Sequence, residues 1–149
     1  MADELFNPVL TDNDVRRLEK AVDYQGLFNN EALVDAVIFA ESSGRPEVVS
    51  ETGNVGLMQV GKGALADWNK YNKADYTIED MKDPTINRMV GEWYLNTRIP
   101  QMLEYHKKDA TLENKLWAYH DGIGNLNKGY KSEKAKNYIA KIKAQLGVK

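Results

Sequence analysis

The stretch Asn30–Ser43, NEALVDAVIFAESS, constrains most strongly what this chain can fold into. Eight of the nine residues from Ala32 to Ala40 are apolar, with Asp35 the exception. A helix that is apolar nearly all round has to be buried. The run ends in Glu41, which follows Ile38 by three positions, Val37 by four and Val34 by seven. In a helix, that spacing sets its carboxylate on the face of those side chains. Glu41 also falls in the last turn, where the negative end of the helix dipole opposes a carboxylate charge. Desolvation and dipole therefore act in one direction and favour the neutral acid. A carboxylic acid kept protonated near neutral pH is what general acid catalysis needs. Helical spacing alone leaves a second reading open, in which Glu41 has turned into solvent at a frayed helix end.

Composition narrows the function classes. A chain of 149 residues is long enough for a single domain with a proper core. A formal net charge of −2 supplies no global basic field for nucleic acid or an anionic membrane. With no cysteine, neither a disulfide framework nor a thiolate metal site is possible. No stretch reaches the length of a membrane span, so no membrane insertion is expected. The first ten residues, MADELFNPVL, show neither the basic nor the apolar region of a secretory signal. His106 and His120 fall in different elements with no carboxylates at ligand spacing, so no metal is expected. Gly122, Gly124 and Gly129 do not make a phosphate loop, and no cofactor is expected.

Periodicity and capping residues predict a mostly helical α+β chain, one domain over residues 1–149. Residues 1–10 read as an N-terminal arm. Thr11 or Asp12 caps a helix running to about Tyr24, with Val15, Leu18 and Val22 inward, and Gln25–Asn29 connects it to the buried helix. Gly44 fits that helix's C-terminal cap and Pro46 prevents continuation. Ser43–Gly63 is rich in Gly, Ser, Thr and Asn, with Val48, Val49 and Val55 extended around a turn at Thr52 and Gly53. It reads as a small β-hairpin or an irregular insert. Ala64–Tyr71 returns to helical character, with Leu65 and Trp68 three apart, and Tyr71–Met81 reads as irregular. Asp83 and Pro84 give the sharpest helix start, a capping acid before proline at the first helical position. Ile86, Met89, Val90, Trp93, Tyr94 and Thr97 follow at helical spacing. Pro100 is expected to end or kink this helix, with a short piece over Gln101–Lys107. Asp109 or Thr111 caps the next helix, which turns Leu112, Leu116 and Tyr119 to one side. Asp121–Gly129 reads as a loop. Ser132 caps a last helix carrying Ala135, Tyr138, Ile139, Ile142 and Leu146, and Gly147 stops it.

Glycosidic chemistry needs a carboxylic acid for the leaving oxygen and groups to stabilise an oxocarbenium-like centre. Glu41 fits the first role. The segment after it offers the hydroxyls of Ser42, Ser50 and Thr52 and the amide of Gln59.

Four blocks then resemble those of soluble lytic transglycosylases of the goose-type lysozyme superfamily. The first is Glu41-Ser42-Ser43, Pro46, Val49-Ser50, Gly53 and Gly56-Leu57-Met58-Gln59, with fifteen residues from the acid to the last run. Asp83-Pro84, Asn87, Gly91 and Tyr94-Leu95 resemble the next, Ala118-Tyr119 with Gly122 and Gly124 another, and Asn137-Tyr138-Ile139 the closing one. The resemblance implies a lysozyme-like fold with a peptidoglycan cleft, in a single-domain enzyme of the phage type. It implies that Glu41 is the sole acid/base and cleaves between N-acetylmuramic acid and N-acetylglucosamine. The sugar's own C6 hydroxyl closes onto C1, assisted by the N-acetyl group, and leaves a 1,6-anhydro end. By the same resemblance Ser50 touches acid and substrate, Met58 and Gln59 belong to the cleft, Tyr119 hydrogen-bonds near the acid, and Tyr138 is a second cleft aromatic; Thr52 is a candidate substrate contact from the polar segment itself.

Structural readings stand beside these. Met58, Tyr119 and Tyr138 also suit a core, Gln59 suits a bond to its own loop, and Ser42 suits a helix-end backbone partner. Trp68, Trp93 and Trp117 suit either sugar stacking or the core. Two departures from the family pattern stand out. Where it has asparagine and a small residue, this chain has His120-Asp121, so Asp121 is a candidate for positioning water, which would make the enzyme an inverting hydrolase of the lysozyme type. Its other reading is a turn cap. The proline usual after Gly-Leu-Met-Gln is replaced by Gly61-Lys62-Gly63. Expected partners are peptidoglycan glycan strands, together with components of a virion or secretion machine, for a monomer acting in the periplasm or cell wall. Without a visible signal, delivery would fall to a virion, holin or secretion machine. Alternatives are a hydrolase using Asp121 or Glu51, and a glycan-binding module without activity.

Overall fold

A computed structural model describes residues 30–148. The N-terminal arm, the helix from Thr11 or Asp12 and the Gln25–Asn29 connection lie outside these residues. Helices dominate: α1 (Asn30–Ser42), α2 (Lys62–Asn72), a 3-10 turn (Glu79–Lys82), α3 (Pro84–Trp93), a π turn (Tyr94–Arg98), α4 (Ile99–Tyr105), α5 (Leu112–Asp121), α6 (Ile123–Asn127) and α7 (Glu133–Leu146). The only β pairing among the described residues is two antiparallel bridges, Val49 with Val55 and Val55 with Val60.

The apolar run does become the centre of the core. Leu33, Val34, Ala36, Val37 and Ile38 of α1 are buried, packed with Val55, Met58, Val90, Leu116, Ile139 and Ile142. Burying the four larger of these α1 side chains contributes about 1.5–3 kcal/mol each, as an upper estimate. Asp35, the polar exception, faces out and accepts from Arg88 of α3 at 2.9 Å. The helix closes through Ser42, whose buried hydroxyl donates to the Ile38 carbonyl at 3.1 Å and accepts from the Gly44 N–H at 3.1 Å. The left-handed exit begins one residue before the expected Gly44, at Ser43 (φ 54°), and continues through Gly44 (φ 80°).

The insert between α1 and α2 is a tight double turn. Val55 and Val60 exchange backbone bonds at 3.0 and 2.9 Å around Gly56–Gln59. Asn87 of α3 holds this turn from beneath. It is fully buried, donates to the carbonyls of Val55 (2.7 Å) and Met81 (2.8 Å), and accepts from the Met58 N–H at 2.9 Å. Two glycines permit that approach. A β-carbon at Gly56 would collide with Asn87 and the Met81 carbonyl, and one at Gly91 would lie 2.5 Å from Met58 Sδ.

Three helix starts follow from their caps. Asp83 accepts from Thr85 and Ile86 N–H, Thr111 from Asn114 N–H, and Ser132 from Ala135 N–H. Pro100 neither ends nor interrupts the helical run. The backbone widens into the π turn over Tyr94–Arg98, and Pro100 then occupies the first turn of α4, where its missing N–H is not needed. Asp121–Gly129 is not wholly a loop either. Gly122 (φ 90°) makes the corner, and α6 follows because Leu126, 4% exposed, docks with Ile99, Leu103 and Ala118 in a second apolar cluster. Along α3 and the π turn, Met89 (37% exposed) and Thr97 face outward, whereas Asn87, Val90, Gly91 and Leu95 face the core.

Candidate active site

The end of α1, the Ser50–Gly61 turn, the π turn and the end of α5 together enclose a cleft of about 710 Å³. Glu41 lies in it. Burial pushes the Glu41 carboxyl from its ordinary value up to about 7, and the Tyr138 hydroxyl pulls weakly the other way. The Tyr138 hydroxyl borders that carboxyl without reaching full hydrogen-bond geometry, and no other described residue takes it. The last turn of α1 contains no basic residue to neutralise the charge. The shift is worth about 3 kcal/mol against the ionised form. That is less than the burial of four large apolar side chains on the same helix supplies, which is why α1 tolerates it. Because α1 runs past Glu41 to Ser42 and the side chain lines the cleft, Glu41 is not at a frayed tip.

The expected cleft residues divide into two sets. Ser50, Thr52, Gln59, Tyr119 and Asp121 line the cleft with Glu41, and Met58 and Tyr138 do not. The Ser50 hydroxyl accepts from the Asn54 N–H at 3.0 Å and shares a hydrogen with Thr52 Oγ1 at 3.1 Å. Gln59 sits in the left-handed region (φ 53°), uncommon for a residue with a side chain. Its Nε2 donates to the carbonyls of Val48 and Gly56, both at 3.0 Å, so its amide oxygen is the end left for the cleft. It therefore both bonds its own loop and faces the cleft. Met58 corrects an expectation. Its side chain is fully buried against Gly91, and what it offers the site is its backbone.

Tyr119 donates its hydroxyl to the Met58 carbonyl at 2.6 Å rather than to the acid. Burial first, then the Glu41 charge, holds its proton on far above the ordinary range. Tyr138 behaves likewise, for the same causes in the same order. Both rings thus stay neutral donors beside Glu41. Their buried bodies explain why apolar periodicity alone did not separate them from core.

Asp121 reaches the cleft, but its oxygens are engaged. Oδ2 accepts from the Ser132 N–H at 2.8 Å, and Oδ1 accepts from the Ser132 hydroxyl at 2.8 Å and faces His120 Nδ1 at 2.9 Å. Burial raises its pKa, but the bonds from the Ser132 backbone, His120 and the Ser132 hydroxyl outweigh it and leave the carboxyl below its usual value. Its position ties the end of α5 to the start of α7.

Periodicity missed three contributors. Tyr94 lines the cleft because the π turn begins at it, and its ring stands 6.1 Å from that of Tyr119. Asn54 and Lys134 line the cleft as well, and only their positions beside a turn and a helix cap hinted at it. None of the three tryptophans lines the cleft. Trp68 and Trp93 pack edge to face at 5.4 Å, and Trp117 donates to the Tyr130 carbonyl under Lys131. Among the described residues no group of histidine and acidic side chains could hold a metal ion. No described helix is long and apolar enough to cross a membrane.

This arrangement agrees with what the chain is similar to. The membrane-bound lytic murein transglycosylase E of Buchnera aphidicola subsp. Acyrthosiphon pisum is 28% identical over 104 residues, 68% of this chain and 47% of that protein. The crystal structure of the 70 kDa soluble lytic transglycosylase SLT70 from Escherichia coli superposes with a TM-score of 0.57 at 21% identity, over 85% of this chain and 25% of that one. The chain thus spans less than half the length of either protein. At that identity, the second likeness establishes the lysozyme-like fold alone. The transglycosylase SLT domain family model matches residues 24–142, and the chain belongs to that family.

Proposed function

We propose that this protein is a peptidoglycan lytic transglycosylase that cleaves the bond between N-acetylmuramic acid and N-acetylglucosamine. The observation that carries this reading is the Glu41 carboxyl, held near 7 inside a cleft whose other wall is a hydroxyl- and amide-bearing turn. Protonated Glu41 donates to the leaving glycosidic oxygen. As the bond to C1 breaks, the C6 hydroxyl of the muramyl residue closes onto C1, assisted by its N-acetyl group. The Glu41 carboxylate then takes the C6 hydroxyl proton, and a 1,6-anhydro end is left. Ser50, Thr52 and Gln59 hold the glycan, and Tyr138 steadies the carboxylate between the two halves of the step.

The hydrolytic reading through Asp121 is the weaker one, because three protein donors already occupy that carboxylate. Mass analysis of fragments released from purified peptidoglycan tests the choice. Anhydro ends, one water lighter than reducing ends, are expected, and Glu41→Gln should release neither. Reducing ends alone would refute the transglycosylase reading, and an active Glu41→Gln would refute the role of the acid.

A further inference from the structure

The reaction proposed above makes no use of the imidazole of His120. It lines the cleft and keeps 26% of its side-chain surface exposed. A carboxylate only accepts hydrogen bonds, so the 2.9 Å contact with Asp121 Oδ1 puts the proton of neutral His120 on Nδ1. Nε2 is then an acceptor, and it bonds no described residue. The ring also lies 4.8 Å from that of Tyr138, tilted by 49°, and Asp121 is itself fixed by Ser132 at 2.8 Å through both oxygens. A carboxylate that fixes the tautomer and orientation of an imidazole is the arrangement that lets histidine act as a base. His120 and Glu41 both line the cleft, and Tyr138 neighbours each of them.

We propose that the His120–Asp121 pair gives this cleft a second, hydrolytic outcome, in which His120 Nε2 holds and deprotonates a water that attacks C1. The inference rests on the transglycosylase reading for its first half. Glu41 gives its proton to the leaving oxygen and the C1–O bond breaks. The water oxygen bonds to C1 in place of the C6 hydroxyl, and the water proton passes to Nε2. The imidazolium returns that proton to solvent, Glu41 is reprotonated from solvent, and a reducing muramyl end is released. The two outcomes compete for one intermediate, so their ratio reports on His120 even where total activity changes.

Digestion of purified peptidoglycan in water enriched in oxygen-18, with mass analysis of the ends, tests this. The wild type is expected to release anhydro ends together with reducing ends labelled at C1. In His120→Asn, and in His120→Gln as a second variant should the first fold poorly, the ratio of labelled reducing ends to anhydro ends should fall about a hundredfold, the low side of general-base contributions. Absence of labelled reducing ends from the wild type, or an unchanged ratio in both variants, would overturn the proposal. So would a fall in Glu51→Gln instead, which would assign the water to that carboxylate. If the wild type releases reducing ends alone, the transglycosylase reading fails, and the His120 inference is then decided by whether their release falls in His120→Asn.

Discussion

Glu41 and Glu113 are the same side chain in opposite settings. Burial without a cation pushes Glu41 up to about 7. Hydrogen bonds from Lys131 and Lys143 pull Glu113, on the outer face of α5, down to about 2. The Lys143 contact is 2.7 Å, and the Glu113 side chain is 40% exposed. Asp121 lies between the two, close to Glu41 in the cleft but supplied with donors like Glu113. The difference teaches that nearness to the cleft does not make a carboxyl an acid. Withheld partners and withheld water do. Glu41 is the carboxyl from which the fold withholds both, at a cost in stability that α1 offsets through its apolar neighbours.

Turnover is where the comparison can be broken most sharply. Glu41→Gln should reduce the rate of wall cleavage by about 10²–10⁴-fold, the range for loss of a general acid. Glu113→Gln should leave it within about twofold, measured on the same substrate. Comparable losses in both would mean that burial does not select the acid.

Stability comes next. Asn87→Ala leaves the Met58 N–H and the carbonyls of Val55 and Met81 without their buried partner. The expected cost is about 3–5 kcal/mol by denaturant unfolding, summed from roughly 1–3 kcal/mol per orphaned group with imperfect additivity. A cost under about 1 kcal/mol would show that Asn87 does not fix the turn.

For Glu41 the sign runs against the usual carboxylate. Its folded pKa lies above the unfolded value, so the folded state keeps a proton that the unfolded state has released. Stability therefore falls as pH rises from about 4.5 to about 7. Glu41→Gln removes that penalty. It should stabilise the protein by up to about 3 kcal/mol at pH 8 and by nothing near pH 4, read from unfolding at the two pH values. No gain at pH 8 would show that the carboxylate is not penalised.

The smallest effect is expected at Glu113. Its depressed pKa contributes stability that is present above about 4.5 and lost as pH falls through about 2. Water screens a side chain this exposed, so Glu113→Gln should cost about 1 kcal/mol or less at neutral pH and nothing below pH 2. A larger neutral-pH cost would place the ion pairs among the main supports of the fold.

Much of this contrast was legible in the chain. The apolar run up to Glu41 foretold its burial because eight apolar neighbours leave a helix no wet face. Asp83-Pro84 and Ser132 foretold their helix starts because capping is local chemistry. Features that depend on distant partners were not legible. Asn87 looks like a surface residue by periodicity, since the carbonyl of Val55 and the N–H of Met58 that bury it come from 32 and 29 residues away. Met58 was expected in the cleft from the Gly-Leu-Met-Gln resemblance, whereas the absent β-carbon of Gly91 opens a place for its side chain in the core. The π turn before Pro100 and the docking of Leu126 depend on packing against neighbouring helices, which no local window contains. Asp121 was visible as a carboxylate at the cleft, but its bonds to Ser132 span 11 residues.

The central claim is that Glu41 holds its proton near neutral pH. Carbon-13 NMR titration of the protein labelled at glutamate side-chain carboxyls, with Glu41 assigned by the signal lost in Glu41→Gln, measures this directly. One glutamate is expected to titrate near pH 7, apart from the rest. A Glu41 signal that titrates near pH 4.5 with the exposed glutamates would contradict it.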